Sequence, residues 1–320
     1  LPGLVLALWV VSLREPVRGA LDGIRTPPAQ RPFAEFLTQL GQLIPPFSVF
    51  AAARRGPGPL ALNLAVAGAI ALAAWFLSWL TGSGEQFWFL AVGFYAVFSW
   101  ASGLRQHDPA TFGMTWRSVP FVAVVLGYGL VCFVGYSVTY WAAPYAERTF
   151  AMSKSELGLL IGAPNAVGGF LGVIFGGRLA DYLHQRHEGG RALVLLIALL
   201  GSVPAVLVGY LAESVTLFLI CNFLVQMATS SALGAAAAAS QSLVLPHMRG
   251  VASAIFLLGT TLIGLALGPF TAGFVSEATG SLAYGVIATL AAVPFGVAAV
   301  LIAARRMPRT LGELRALSSS

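Results

Sequence analysis

Polar side chains with helical spacing interrupt several long apolar stretches, and they are the residues best suited to binding a solute. Asn222, Gln226 and Ser230 recur every four residues, so they share one slowly drifting face if this stretch is a helix. Tyrosines are spaced in a similar way in another stretch. The candidates for a shared polar cavity are Tyr128, Tyr136, Tyr140, Asn165, Asn222, Gln226 and Ser230.

These candidates have two interpretations that the sequence leaves open. In the first, they line a cavity that binds a solute. In the second, they form hydrogen bonds between neighbouring helices, each worth about 0.6 kcal/mol on average. Tyr140 has the further alternative of an anchor at the membrane surface. For Cys132, Thr260 and Thr261 packing is the preferred interpretation.

Titratable residues are kept out of the middle of the apolar stretches. All 12 acidic residues and all four histidines lie at the ends of these stretches or in the connections. Ion-driven transport normally needs a titratable group at depth. If the protein transports a solute, its coupling residue would lie upstream of this chain, or its transport would not be proton-coupled.

Catalytic and metal-binding patterns are absent from the sequence. It contains neither H-E-x-x-H nor G-x-S-x-G, and no G-K-[ST] follows the stretch GGRLADY. Cys132 and Cys221 both lie inside apolar stretches, which supports neither a disulfide framework nor a zinc site. The sequence therefore predicts no enzyme, no cofactor and no metal site.

The composition indicates a polytopic membrane protein. The chain is 58% hydrophobic and 9% charged, whereas soluble domains carry about 25% charged residues. The net charge of +6 does not indicate a nucleic-acid partner, because the basic residues are spread between apolar stretches rather than gathered in one patch. The lipid bilayer is the predicted partner.

Apolar stretches long enough to cross a bilayer as helices recur along the chain. They cover residues 59–80, 87–104, 119–143, 156–180, 192–212, 215–244, 250–276 and 281–304. Residues 1–13 form a shorter apolar stretch, which we interpret as the end of a truncated transmembrane helix.

Basic residues fall in alternate connections between these stretches. All but two of the 18 Lys and Arg residues do so, and the exceptions are Arg148 and Lys154. Cytoplasmic loops collect Lys and Arg, so this pattern predicts that the first linker and the C-terminus are cytoplasmic. The predicted location is the bacterial inner (plasma) membrane.

The stretches and connections together predict an order of segments. A cytoplasmic linker, 14–58, contains an amphipathic helix with Phe33, Phe36, Leu37 and Leu40 at helical spacing, lying on the membrane or packed under the protein. The segments that follow are an extra transmembrane hairpin at 59–104, a cytoplasmic loop at 105–118, a six-helix bundle at 119–304 and a cytoplasmic tail at 305–320.

Small residues and prolines mark where the predicted helices approach one another. Gly168, Gly172 and Gly176 recur every four residues, as do Gly264 and Gly268. Such faces let helices pack closely in lipid. Pro164 and Pro269 lie inside predicted spans, where proline kinks a helix.

The stretch GGRLADYLHQR resembles the signature loop of the major facilitator superfamily, G-x-L-A-D-x-x-G-x-R. Gly177, Leu179, Ala180, Asp181 and Arg186 match, whereas His184 stands at the second glycine position. The resemblance implies a cytoplasmic gating motif in which the aspartate caps a neighbouring helix start and basic residues hold the gate. Its members here are Gly177, Arg178, Asp181 and Arg186.

Three further stretches extend the resemblance. MRGVASAIFLLGTTLIGLALGPFTAGFVSEATG is similar to the eleventh helix of the superfamily. SLREPVRGALDG, and the stretch from Gly127 to Gly162, resemble the spinster-like branch. The implied fold is an all-α membrane protein, here the C-terminal six-helix bundle of a major facilitator fold preceded by an extra two-helix hairpin.

The implied function is secondary active transport of a small organic or amphiphilic solute by alternating access, proton- or ion-coupled through residues upstream of the chain. The implied partners are a small-molecule substrate and an N-terminal six-helix half. The alternative is a receptor or scaffold that keeps the transporter fold without transporting, and the extra hairpin is the feature that favours it.

Overall fold

The computed structural model describes residues 2–13, 33, 37, 41, 47–82 and 84–319, which fall into two units. The unit Leu1–Gly41 contains helix α1, Pro2–Ser12, which is apolar, exposed and shorter than a membrane span. Phe33 and Leu37 are helical and exposed. Phe36 and Leu40 lie outside the described residues, so the amphipathic helix stays a prediction.

The described residues of the unit Gln42–Ser320 form helices joined by short connections. These helices are α2 (Phe47–Arg54), α3 (Pro57–Thr81), α4 (Gly84–His107), α5 (Pro109–Thr115), α6 (Val119–Phe150), α7 (Lys154–Arg186), α8 (Gly190–Leu211), α9 (Val215–Ser242), α10 (Pro246–Thr279) and α11 (Leu282–Ala316). In this part of the chain, eight helices are long and apolar enough to cross a membrane. They coincide with the eight predicted stretches, so the all-α prediction is confirmed.

Helix α6 lies at the centre of a bundle made by α6–α11. It packs against α9, α10 and α11, while α7 and α8 pack against α9. One wholly buried cluster includes Val131 and Val134 of α6, Leu195 of α8 and Val300 of α11. The predicted six-helix bundle is therefore present, and its interior is filled by aliphatic side chains.

A glycine seam holds α7 directly against the backbone of α9. The glycines are Gly168, Gly172 and Gly176. A Cβ atom on the first would lie 3.1 Å from the carbonyl oxygen of Phe223, and Cβ atoms on the other two would collide with the carbonyls of Met227 and Ser231. The predicted glycine face thus meets carbonyls that recur with the same four-residue spacing.

A second seam joins α10 to α6. A Cβ atom at Gly264 would collide with Cys132, and one at Gly268 would collide with the Phe133 carbonyl. The Ser137 hydroxyl, which donates to the Phe133 carbonyl at 2.6 Å, lies beside the same glycine. Cys132 therefore packs against α10, which agrees with the interpretation preferred from sequence.

Both predicted kink sites contain π-helical turns that end just before the proline. In α7 these turns cover Gly158–Gly162 and precede Pro164, and in α10 they cover Thr260–Leu267 and precede Pro269. Proline lacks the amide hydrogen that an α-helix needs there. The wider π turns accommodate this loss without ending either helix.

The hairpin α3–α4 packs against the middle and second half of α10. The Phe87 and Phe270 rings meet edge to face with centroids 5.1 Å apart, and a Cβ atom at Gly93 would lie 2.9 Å from a methyl group of Leu262. These contacts cover only part of the hairpin surface. The predicted extra hairpin is therefore an addition to the side of the bundle.

Connections that carry most of the basic residues meet at one end of the bundle, which we call the Arg-rich end. Asp108 caps α5 through the Thr111 amide at 2.9 Å, and hydrogen bonds from Thr111 hold the pKa of this carboxyl below its usual range. His247, in the first turn of α10, lies close enough to add to this shift. Glu188 and Arg315 form an ion pair at 2.6 Å that links the α7–α8 connection to α11.

The seam between α7 and α9 predicts unequal effects of alanine at two neighbouring glycines. Gly176→Ala places a methyl group against the Ser231 backbone, so we expect it to lower the free energy of unfolding by about 1–3 kcal/mol. Gly177→Ala is the matched control, because nothing lies within 4 Å of its Cβ position. Thermal unfolding of the detergent-solubilised protein measures both, and equal melting temperatures would contradict the seam.

Candidate functional site

Three polar side chains from two helices form a connected cluster at the surface of the bundle. Gln226 of α9 donates through Nε2 to the Ser230 hydroxyl at 3.1 Å, and its Oε1 lies 3.1 Å from the Thr139 hydroxyl of α6. That hydroxyl is also 2.9 Å from the Gly135 carbonyl, so its single proton is shared. We call Thr139, Gln226 and Ser230 the polar cluster.

Helix α7 completes the surroundings of the polar cluster through a glycine. A Cβ atom at Gly169 would lie 3.6 Å from Gln226 Nε2 and 3.7 Å from Ser230 Oγ. Gly169 lies next to Gly168 in the seam that holds α7 against α9. The close approach of these two helices therefore brings the backbone of α7 to the edge of the cluster.

Two of the predicted tyrosines flank the polar cluster and face outward. Tyr136 and Tyr140 are one turn apart on α6, with side chains 38% and 63% exposed. Tyr140 also packs edge to face on Trp141. Together with Thr139 they form a surface of aromatic rings and hydroxyl groups beside the Gln226 amide.

The other predicted residues lie deeper or at the side. Tyr128 is only 5% exposed and stacks on Phe256 of α10 with centroids 4.9 Å apart. Asn222 is 4% exposed, and its Nδ2 has no hydrogen-bond partner in the described part of the chain. Asn165 is half-buried on α7. Cavity lining by these three residues stays a prediction.

Thr139 is the member of the polar cluster that was not predicted from sequence. It lies three residues after Tyr136, so these two side chains share one side of α6, and it comes directly before Tyr140 in the chain. Its position about one turn after Tyr136 was the sequence signal that could have identified it.

The polar cluster is suited to hydrogen bonding rather than to proton transfer. Its groups are an amide and two hydroxyls, which donate and accept hydrogen bonds while staying neutral. Among the residues that the structure describes, no group of three His, Cys, Asp or Glu side chains is placed to hold a metal ion. The surface can therefore bind the polar parts of a neutral or amphiphilic molecule while the tyrosine rings contact its apolar parts.

The residues of the gating motif are displayed at the last turns of α7. Arg178, Asp181 and Arg186 are exposed, and the Arg186 guanidinium lies 4.2 Å from the centre of the Tyr182 ring. The Asp181 carboxylate has no hydrogen bond or ion pair with any described residue. Its capping role stays a prediction, which requires a partner outside the described residues.

The tight turn after the motif is made without a glycine at position 184. Helix α7 ends at Arg186, and His187 accepts from the Gly189 amide through Nδ1 at 3.0 Å and from the Gly190 amide through its carbonyl at 2.8 Å. Cβ atoms at these two glycines would collide with the carbonyls of Ala304 and Leu183. This turn therefore requires glycine at positions 189 and 190 and not at position 184.

A bundle of six apolar helices, with a neutral polar patch on its surface and a charged signature loop at one end, is typical of a membrane transport protein. A model of the Major Facilitator Superfamily matches residues 124–318. The chain therefore belongs to this superfamily of integral membrane transporters, which confirms the family prediction.

Comparison with individual proteins agrees with this assignment. The chain is 33% identical over 185 residues to an MFS-type efflux pump of Mycolicibacterium smegmatis, an alignment that covers 55% of this chain and 43% of that protein. The chain thus spans less than half the length of this curated relative.

Two crystal structures of a bacterial homologue of the human lysosomal transporter Spinster have a similar fold. The inward-facing occupied form is 22% identical with a TM-score of 0.52, and the alignment covers 75% of this chain and 63% of that one. The inward-facing unoccupied form is 21% identical with a TM-score of 0.55, and the coverage is 75% and 64%. At these identities the likeness shows the fold alone.

The polar cluster predicts a measurable coupling between Thr139 and Gln226. In a cycle of Thr139→Val, Gln226→Leu and the double variant, we expect a coupling energy of about 0.6 kcal/mol, the average for hydrogen bonds between membrane helices. Unfolding in detergent measures it. The equivalent cycle for Gln241 and Ser253, which join α9 to α10 at 3.2 Å, is the control. A coupling of zero for the first pair alone would contradict the cluster.

Proposed function

We propose that residues 119–304 form one half of a secondary active transporter that moves a small organic or amphiphilic solute by alternating access. The observation that carries the proposal is the polar cluster flanked by exposed Tyr136 and Tyr140. Binding sites for small molecules combine aromatic walls with a few placed polar groups. A surface of this composition suits a solute held between two bundles.

Membership of the superfamily supports transport as the activity, and the curated relative supports its direction. That relative is named as an efflux pump and is 33% identical in the aligned region. We therefore propose export as the direction of transport. The other six-helix half required for alternating access would be the second partner, and the solute would bind between the halves.

The two glycine seams support movement of the bundle as a rigid body. Gly172 and Gly176 fix α7 to the backbone of α9, and Gly264 and Gly268 fix α10 to α6. Alternating access requires one bundle to rock against the other around a central site. Because the seams lie within the bundle, rocking would leave the polar cluster intact and break contacts at its exposed ends.

Energy coupling is proposed to come from a group outside α6–α11. The acidic residues of these helices are at their ends or in the connections, whereas an ion-driven transporter normally carries its titratable group at depth. The polar cluster would then supply substrate affinity, and the coupling group would bias the two orientations of the bundle.

Replacing the central amide tests the substrate surface. We expect Gln226→Ala to raise KM roughly three- to ten-fold, since one neutral hydrogen bond contributes about 0.5–1.5 kcal/mol. Counterflow by the full-length protein in liposomes, with a panel of amphiphilic solutes, measures the change. Gln241→Ala is the matched control, because it removes the same side chain from α9 at the Arg-rich end. Equal KM values for the two variants would refute the cluster as the substrate site.

The same assay separates a transporter from a receptor. Binding of a solute without any counterflow in the unmodified protein would favour a receptor.

The gating motif predicts a different kinetic effect. Asp181→Asn removes the charge that would cap a helix of the other half, so we expect turnover to fall several-fold while KM changes less than two-fold. Glu188→Gln is the matched control, since it changes the next carboxylate in the chain, just after the end of α7. A variant with unchanged turnover and weakened binding would show that Asp181 belongs to the substrate site instead.

A further inference from the structure

We propose that a cavity at the Arg-rich end binds the phosphate headgroup of an anionic phospholipid. The cavity has a volume of about 440 Å³ and lies between the α5–α6 connection and the last turns of α11. Arg117 forms one wall, and Arg306 and Arg309 form the other. Its volume is within the roughly 300–1,000 Å³ usual for ligand pockets.

The charges around this cavity are strongly unbalanced. Three arginines and a single carboxylate, Glu313, line it, which leaves two net positive charges. Arg309 pairs with Glu313 at 3.1 Å, but both side chains are mostly exposed, so this pair is weak. Arg117 and Arg306 have no ion-pair partner among the described residues. Planar guanidinium groups match the oxygens of a phosphate in pairs, which suits this arrangement to such a ligand.

The start of α6 adds to the attraction for an anion. This 32-residue helix begins beside Arg117, and Ser118, Val119 and Pro120 line the cavity. The Ser118 hydroxyl makes no capping hydrogen bond and is buried without a partner in the part of the chain that the structure describes. The positive end of the helix dipole therefore faces the same space as the arginines.

The position of the cavity points to a lipid rather than to a soluble anion. Helix α11 has 35 residues, about 52 Å, and so extends well beyond a hydrocarbon core of about 30 Å. Its apolar part ends at Ala304, and the arginines begin with the next residue. Arg306 and Arg309 are therefore expected at the level of the lipid headgroups.

The cavity also offers an apolar wall beside its charges. Met114 of α5, Leu243 at the end of α9 and Leu314 of α11 line it together with the arginines. A phosphate on a glycerol backbone with acyl chains can use both kinds of wall, whereas a free phosphate uses one. Basic pockets between transmembrane helices on the cytoplasmic side are suited to such headgroups. The proposal does not depend on transport.

Native mass spectrometry of the full-length protein tests the proposal with three probes: dioctanoyl phosphatidylglycerol, dioctanoyl phosphatidylcholine and inorganic phosphate. We expect the first to bind at least five-fold more tightly than the others. Arg117→Gln and Arg306→Gln should each weaken its binding about five-fold, the effect of one basic residue near an anionic lipid surface, and raised salt should weaken it further. Arg305→Gln is the matched control, because Arg305 is the adjacent arginine and does not line the cavity.

Glu313→Gln provides a test of opposite sign that keeps every arginine. It removes the carboxylate from the cavity and frees Arg309, so we expect phosphatidylglycerol to bind more tightly by about five-fold. The site would be overturned if Arg305→Gln and Arg306→Gln lost equal affinity for phosphatidylglycerol, or if Glu313→Gln gained none. Inorganic phosphate binding as tightly as phosphatidylglycerol would overturn the assignment to a lipid.

Discussion

Direct contact between glycine faces and backbone carbonyls is the constraint on which the bundle depends. In lipid no hydrophobic effect draws helices together, so association requires packing at close range. The carbonyls of Met227 and Ser231 occupy the space that side chains at Gly172 and Gly176 would need. This closeness brings Gly169 to the edge of the polar cluster. The glycines of the α7–α9 seam thus help to fix the geometry of the polar cluster, although they have no side chains.

The two prolines extend this constraint along α7 and α10. A proline in a straight α-helix would disturb the chain on either side of it, yet both helices keep their glycines in contact with a neighbour. Gly168 follows Pro164 by one turn, and Gly264 and Gly268 come just before Pro269. The π turns before each proline absorb the missing hydrogen bond locally. The seams therefore continue through the disturbed segments.

The helices of the bundle could be predicted from sequence far better than the inward or outward direction of individual side chains. Length and hydropathy define the eight spans, and the four-residue glycine repeat predicts a close contact. Four residues in an α-helix turn through about 400°, so a stripe drifts by about 40° at each step. Tyr128 and Tyr140 are therefore about 120° apart, which places one against Phe256 and leaves the other exposed. Thr139 lies three residues after Tyr136 on α6, but its hydrogen-bond partner Gln226 is 87 residues away in the sequence, so the pattern within α6 does not show that bond.

Neutral polar groups and charged groups lie in different parts of this bundle, the first along the middle of the helices and the second at their ends. The polar cluster has no charge, so each hydrogen bond that it can make contributes only about 0.5–1.5 kcal/mol and depends little on pH. The charged groups lie at the ends, where α7 displays Asp181 and α11 displays its arginines. Charges in water respond to partners that approach and withdraw, such as another bundle or a lipid headgroup. No described hydrogen bond or ion pair joins the polar cluster to a charged side chain, so under the proposed function substrate choice and conformational control could change independently.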